Sequence, residues 1–242
     1  MKGNNNLHEG HRGRLKNRFL ESGLDSFEPH NILELLLFYS IPRKDTNDIA
    51  HELIERFGSF SAVFNASVEE LMTVNYITEN SATLIKLIPA ISRAYLMDQL
   101  SEDRKLDTYD AIRDYLLRLF HGATNECVYV LLFNNGYELL SCEKLYEGSV
   151  NSSHLSTRKL MELIVKNNAS MVVLAHNHPQ GAALPSLEDV ETTWSIKDFL
   201  DRVNVTLLEH LVVNSFDCYP IIHQSLSASS LDEENKYIFR KV

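Results

Sequence analysis

The spacing of apolar residues divides the chain near residue 108 into two regions of different period. From residue 11 to about 97 the apolar positions recur at helical intervals. Asn31 to Tyr39 is a dense apolar segment stopped by Pro42. Asp48 to Phe57 carries Ile49, Leu53, Ile54 and Phe57 at helical spacing, with Gly58 as its stop. Ser67-Val68-Glu69-Glu70 is a capping-box pattern ahead of Leu71, in which serine and glutamate each satisfy an orphan N–H of the first turn. Ser81 to Met97 sets Leu84, Ile85, Leu87, Ile88, Ile91 and Tyr95 on a broad apolar face, with Pro89 a candidate kink. Short helices with tight joints predict a small α-bundle over residues 1–97.

The polar stretch from Asp98 to Thr108 reads as a linker, and the period changes beyond it. Tyr109 to Phe120 is amphipathic and helical. Strands are predicted at Cys127–Phe133, Leu139–Leu145 and Gly148–Ser152, the first two joined as a hairpin by Asn134-Asn135-Gly136. A helix at Thr157–Asn167 precedes the apolar strand Met171-Val172-Val173-Leu174-Ala175. A helix from Ser186 to about Val203 and strands at Val205–Leu208 and Leu211–Val213 complete the pattern. Helices inserted among strands predict an α/β (α+β) domain of three layers over 109–224. The tail, 225–242, begins Ser225-Leu226-Ser227-Ala228-Ser229-Ser230 and is expected to pack poorly.

Composition narrows the class. With 242 residues the chain is long enough for sizeable cores, and 44% hydrophobic with 23% charged residues is ordinary for a soluble globular protein. No apolar stretch approaches the roughly 18 residues of a membrane span, and the first residues lack the apolar run of a signal peptide. Cys127, Cys142 and Cys218 are odd in number and lack C-x-x-C spacing, which points to reduced thiols in the cytoplasm. The net charge of −10 counts against a surface that coats nucleic acid. Most of the acidity lies in residues 106–242, with 11 Lys and Arg against 18 Asp and Glu. One local exception, His11 to Arg18, is either a phosphate contact or a solvated helix face.

The candidate chemistry follows the apolar strand directly. His176-Asn177-His178-Pro179 places two imidazoles at positions i and i+2, which share a face of a strand. Asp189 follows past a loop containing Gly181 and Pro185, in the first turn of the helix opening near Ser186. Two nitrogens and one carboxylate oxygen suit zinc, and three protein ligands leave a fourth tetrahedral position open, as in catalytic sites. The same residues have a plainer reading, since Ser186-Leu187-Glu188-Asp189 is also a serine cap with an acidic partner.

The string H-x-H-P, with Ser seven and Asp ten residues after the proline, resembles the JAMM motif of the JAB1/MPN metalloprotease-like superfamily. That motif also has a Glu before an apolar strand, as Glu126 stands before Cys127-Val128-Tyr129-Val130. More narrowly the chain resembles the RadC family, through Gly148-Ser149-Val150-Asn151-Ser152-Ser153, Leu174-Ala175-His176-Asn177-His178-Pro179 and Leu208-Glu209-His210-Leu211. It departs from that family at Gln180-Gly181-Ala182-Ala183 and around Ser156-Thr157-Arg158-Lys159. The resemblance implies an MPN/JAB-like fold and zinc held by His176, His178 and Asp189. It implies Glu126 as general acid/base, Ser186 as donor to an oxyanion, and a peptide or protein substrate cleaved at a peptide or isopeptide-type amide. Asn177 and Pro179 are expected to shape the strand end, His210 to be structural or to support a ligand, and Cys127 to be core.

The alternative is a non-catalytic DNA-associated or protein-interaction module with a structural or vestigial zinc. RadC proteins resemble helix-hairpin-helix DNA binders in their N-terminal region. Here the hairpin reads Asn75-Tyr76-Ile77-Thr78-Glu79-Asn80, a degenerate version without the glycines that admit phosphate, and Glu79 would repel it. Substrate identity and oligomeric state have no readable code in the chain.

Overall fold

A computed structural model describes residues 5–42, 44–99, 105–148, 156–179 and 181–223. The expected tail from Ser225, the middle of the expected linker, Gln180, and all but Gly148 of the strand expected at Gly148–Ser152 lie outside the described residues. The chain divides into two compact units, Met1–Ile91 and Ser92–Val242.

The first unit is helical: α1 (Asn5–Ser22), α2 (Pro29–Leu37), α3 (Asn47–Phe57), α4 (Phe60–Asn65), α5 (Val68–Leu71) and the first part of α6 (Glu79–Asp98). The helix α2 starts two residues earlier than its apolar run, because Pro29 lacks the N–H that a first helical turn leaves unpaired. In α3 the stop is Gly58, at φ 85°, its N–H donating to the Ile54 carbonyl. The capping box of α5 is complete, with Ser67 Oγ accepting from the Glu70 N–H at 3.1 Å and Glu70 Oε2 accepting from the Ser67 N–H at 2.8 Å. Leu33, Leu37, Leu53, Val63, Leu71 and Ile85 are fully buried and form the core. Each such side chain contributes about 1.5–3 kcal/mol. In the turn between α5 and α6, Tyr76 takes φ 69°, a conformation that glycine adopts at less cost. The helix α6 runs through Pro89.

The second unit is built on a sheet of five strands: β1 (Cys127–Phe133), β2 (Leu139–Glu147), β3 (Met171–Asn177), β4 (Thr206–Val213) and β5 (Cys218–Pro220), in the order β2-β1-β3-β4-β5. Only β3 and β4 are parallel; the other neighbours are antiparallel. The turn joining β1 and β2 is held by Asn134, whose Oδ1 accepts from the Gly136 and Glu138 N–H groups at 2.8 and 3.1 Å. Three helices follow from their apolar stripes: α7 (Tyr109–Leu119), α8 (Thr157–Asn167) and α9 (Leu187–Asp201).

The alternation of β1 and β3 separates two cores. Leu131, Phe133, Val173 and Ala175 pack with Ile112 and Leu116 of α7. Val130, Leu132, Val172 and Leu174 pack with Leu160 of α8 and Ile196 and Leu200 of α9. The unit is therefore mixed α/β in three layers. Ahead of α7, Leu106 is buried, and its N–H donates to the Tyr137 carbonyl at 3.3 Å.

The far edge of the sheet differs from the sequence reading, and β2 runs on to Glu147 rather than ending at Leu145. The strands expected at Val205–Leu208 and Leu211–Val213 are one strand, β4, and β5 was not anticipated. Glu209 and His210 look like a polar break, but they stay in the strand because both are hydrogen-bonded. Glu209 Oε1 accepts from the N–H groups of His210 and Ile222, and Oε2 accepts from His223. Val172 pairs with Leu207 and Val173 with Glu209, so Leu208 is an inserted bulge residue. The bulge brings His210 opposite Leu174, onto the face that carries His176.

Candidate metal centre

The histidines sit where β3 ends and the chain turns toward α9. In open α/β sheets, ligands bind outside the carboxyl ends of parallel strands. His176 is the penultimate residue of β3 and is buried. His178 lies just beyond, its N–H donating to the Val213 carbonyl of β4 at 2.8 Å. The next turn of chain makes Ser186 the N-cap of α9.

Cap and candidate ligand coincide at Asp189. Its Oδ2 accepts from the Ser186 N–H at 2.7 Å and from the Ser186 hydroxyl at 2.6 Å, while the Asp189 N–H donates to Ser186 Oγ at 3.1 Å. Its Oδ1 lies 3.4 Å from His176 Nε2. One oxygen closes the capping box and the other faces the histidines. Burial alone would raise the Asp189 pKa, but a His176 ring protonated on Nε2 and the Ser186 donors outweigh it and hold the carboxyl well below the usual range.

A chain of hydrogen bonds sets the histidine tautomers. The Thr193 hydroxyl has one proton and donates it to the Asp189 carbonyl at 2.6 Å. It therefore accepts from His210 Nδ1, also at 2.6 Å. His210 is buried, which lowers its pKa well below the ordinary imidazole value and keeps it neutral, with a bare Nε2. That nitrogen accepts from His176 Nδ1 at 2.9 Å, so a neutral His176 carries its lone pair on Nε2. For His178, Nδ1 donates to the Ala182 carbonyl at 3.2 Å, so its neutral ring likewise carries the lone pair on Nε2.

These two Nε2 atoms lie 3.2 Å apart. Two lone pairs at that distance repel unless a cation lies between them. A proton would satisfy the pair alone, whereas a metal ion also uses Asp189 Oδ1. The ligand atoms of all three residues lie within 4.8 Å of one another. A tetrahedral zinc with ligands at about 2.0–2.1 Å needs ligand–ligand edges of about 3.3–3.4 Å, so the 3.2 and 3.4 Å separations suit it. Among the described residues, this is the group of three able to hold a metal ion.

A cleft of about 500 Å³ opens beside His178 and Pro179, lined also by Thr124, Asn125, Glu126 and Gly148. Glu126 immediately precedes β1 and is half-buried. Of the residues singled out from the sequence, His176, His178 and Asp189 converge, Ser186 caps beside them, and Glu126 lines the adjoining cleft. His210 stands behind His176 as expected, whereas Thr193 behind His210 was not anticipated. A signal existed, because Thr193 stands four residues after Asp189 on one helix face.

Comparison with known proteins accords with this geometry. A family model described as the RadC-like JAB domain matches residues 106–226. A UPF0758 protein of Fusobacterium nucleatum is 32% identical over 225 residues, covering 90% of this chain and 97% of its own length. The chain belongs to the RadC family. Another relative, a UPF0758 protein of Ruegeria pomeroyi, is 30% identical over 84% of this chain and 91% of its own length. In this RadC-family chain the JAB-domain match contains all five expected site residues. Among the described residues, no helix is long and apolar enough to cross a membrane.

Proposed function

We propose that this protein is a zinc-dependent hydrolase that cleaves a peptide or isopeptide-type amide in a peptide or protein substrate. The observation that carries this reading is the convergence of two imidazole Nε2 atoms and one carboxylate oxygen, with Glu126 lining the cleft alongside. His176, His178 and Asp189 would hold the ion. Bound there, zinc supplies Lewis-acid polarisation of a carbonyl and activation of water near neutral pH.

The protein residues supply the rest. Glu126 takes a proton from the attacking water and returns it to the departing amine, a role that typically contributes 10²–10⁴-fold. The Thr193–His210 chain holds the His176 ring, as outer partners of metal ligands commonly do. Ser186 has two parts to play: its hydroxyl closes the cap on Asp189 Oδ2, and on rotating it donates to the oxyanion. The free thiols fit residence in the cytoplasm.

The test compares the zinc-loaded protein and its Glu126→Gln variant on a library of peptides and isopeptides. The variant should keep its metal and lose turnover. Undiminished hydrolysis by the variant would sink the assignment.

A further inference from the structure

We infer that Asn177, the residue between the two histidines, is a positioning residue that fixes Glu126 at the cleft. The inference rests on the hydrolase reading and adds a residue to which no chemistry was assigned from the sequence.

Asn177 is 2% exposed, and its side-chain amide makes one backbone hydrogen bond from each end. Its Oδ1 accepts from the Cys127 N–H at 2.7 Å, and its Nδ2 donates to the Asn125 carbonyl at 3.1 Å. Because one partner is a donor and the other a carbonyl, the amide has a single orientation that satisfies both. The two bonds straddle Glu126, gripping the backbone one residue before it and one residue after. The Glu126 carbonyl is held separately, by the Gly148 N–H at 2.9 Å.

The need for this grip follows from the register. Val128 pairs with His176, and β1 begins at Cys127, so Glu126 lies just past the last rung of the ladder. Without further bonds a strand end of this kind frays. Asn177 supplies two such bonds from β3, beside the one from Gly148. Successive residues of a strand point to opposite faces, which lets His176 serve the metal while its neighbour serves the base. His176-Asn177-His178 is thus one device that sets ligands and base against each other. Aspartate at 177 would lose the donor, and serine would be too short to reach both partners.

The experiment uses the whole chain loaded with cobalt(II) in place of zinc, and follows the visible spectrum with pH. The parent, Glu126→Gln, Asn177→Ala and the double variant form a cycle. If Asn177 acts through Glu126, each single variant shifts the midpoint in the same direction and the double variant shifts no further. Asn177→Ser replaces the alanine variant should that one fail to fold. Amide exchange at Cys127 should also quicken in the Asn177 variant, with or without metal.

No shift in the Asn177 variant, or additive shifts in the double variant, overturns the inference while leaving the metal site standing. The hydrolase reading itself fails if cobalt does not bind, if His176→Ala leaves the spectrum unchanged, or if Glu126→Gln leaves its pH response unchanged. The positioning role then falls with it.

Discussion

The chain contains two serine capping boxes of the same design, Ser67–Glu70 on α5 and Ser186–Asp189 on α9. Both are complete, with reciprocal side-chain to backbone bonds. What separates them is the environment of the acidic residue. Glu70 is exposed on a short surface helix. Asp189 is half-buried and turns its second oxygen to His176, which a different element supplies. A local motif thus states only the local bond. The chemistry at Asp189 comes from β3 ending where α9 begins.

The largest difference should appear in metal content. Asp189→Ala should lower zinc affinity by more than the roughly 10–100-fold that loss of an outer partner costs, while Glu70→Ala should leave it unchanged. Competition titration with a chromogenic chelator reads both. If the two variants bound zinc equally well, the contrast would collapse. Next comes Thr193→Val, which removes the hydroxyl that orients His210 while keeping the shape. Zinc affinity should fall about 10–100-fold with the fold intact. An affinity equal to the parent's would remove the tautomer chain from the account.

Cap removal gives a smaller and more even effect. Ser67→Ala and Ser186→Ala should each cost about 1 kcal/mol of stability in chemical denaturation. Turnover should separate them, since only Ser186→Ala is expected to lower it, by about 10²–10³ if the hydroxyl serves an oxyanion. Equal turnover in both would reduce Ser186 to a cap.

The smallest effect concerns the thiols, the obvious competitors for zinc. Burial pushes Cys142 and Cys218 up to about 12, and raises Cys127 as well. A raised pKa means that the reactive thiolate forms only as pH nears that value. Iodoacetamide at pH 8 should therefore leave the folded protein almost unlabelled, and alkylate it fully after unfolding. Rapid labelling of the folded chain would contradict this burial.

The fold was legible where period and burial agree. Cys127–Phe133 and Thr157–Asn167 could be bounded at both ends because one is a continuous apolar run and the other carries its own serine cap. β4 was misread as two strands because its bulge and its buried Glu209 and His210 break the apolar run. Their partners, His223 and Thr193, come from distant positions. The candidate ligand group was legible because two of its members lie in one tripeptide and the third in a recognisable cap. The tautomer chain was not, since it depends on a one-residue register shift. The grip of Asn177 was hidden likewise, because it runs to the backbone of a strand 50 residues away.

The central claim is that His176, His178 and Asp189 form one metal site. Its most direct test is the metal content of the purified chain beside His176→Ala/His178→Ala, by inductively coupled plasma mass spectrometry. The account predicts about one zinc per chain in the parent and none in the variant. An equal content in both, whether one ion or none, would contradict it.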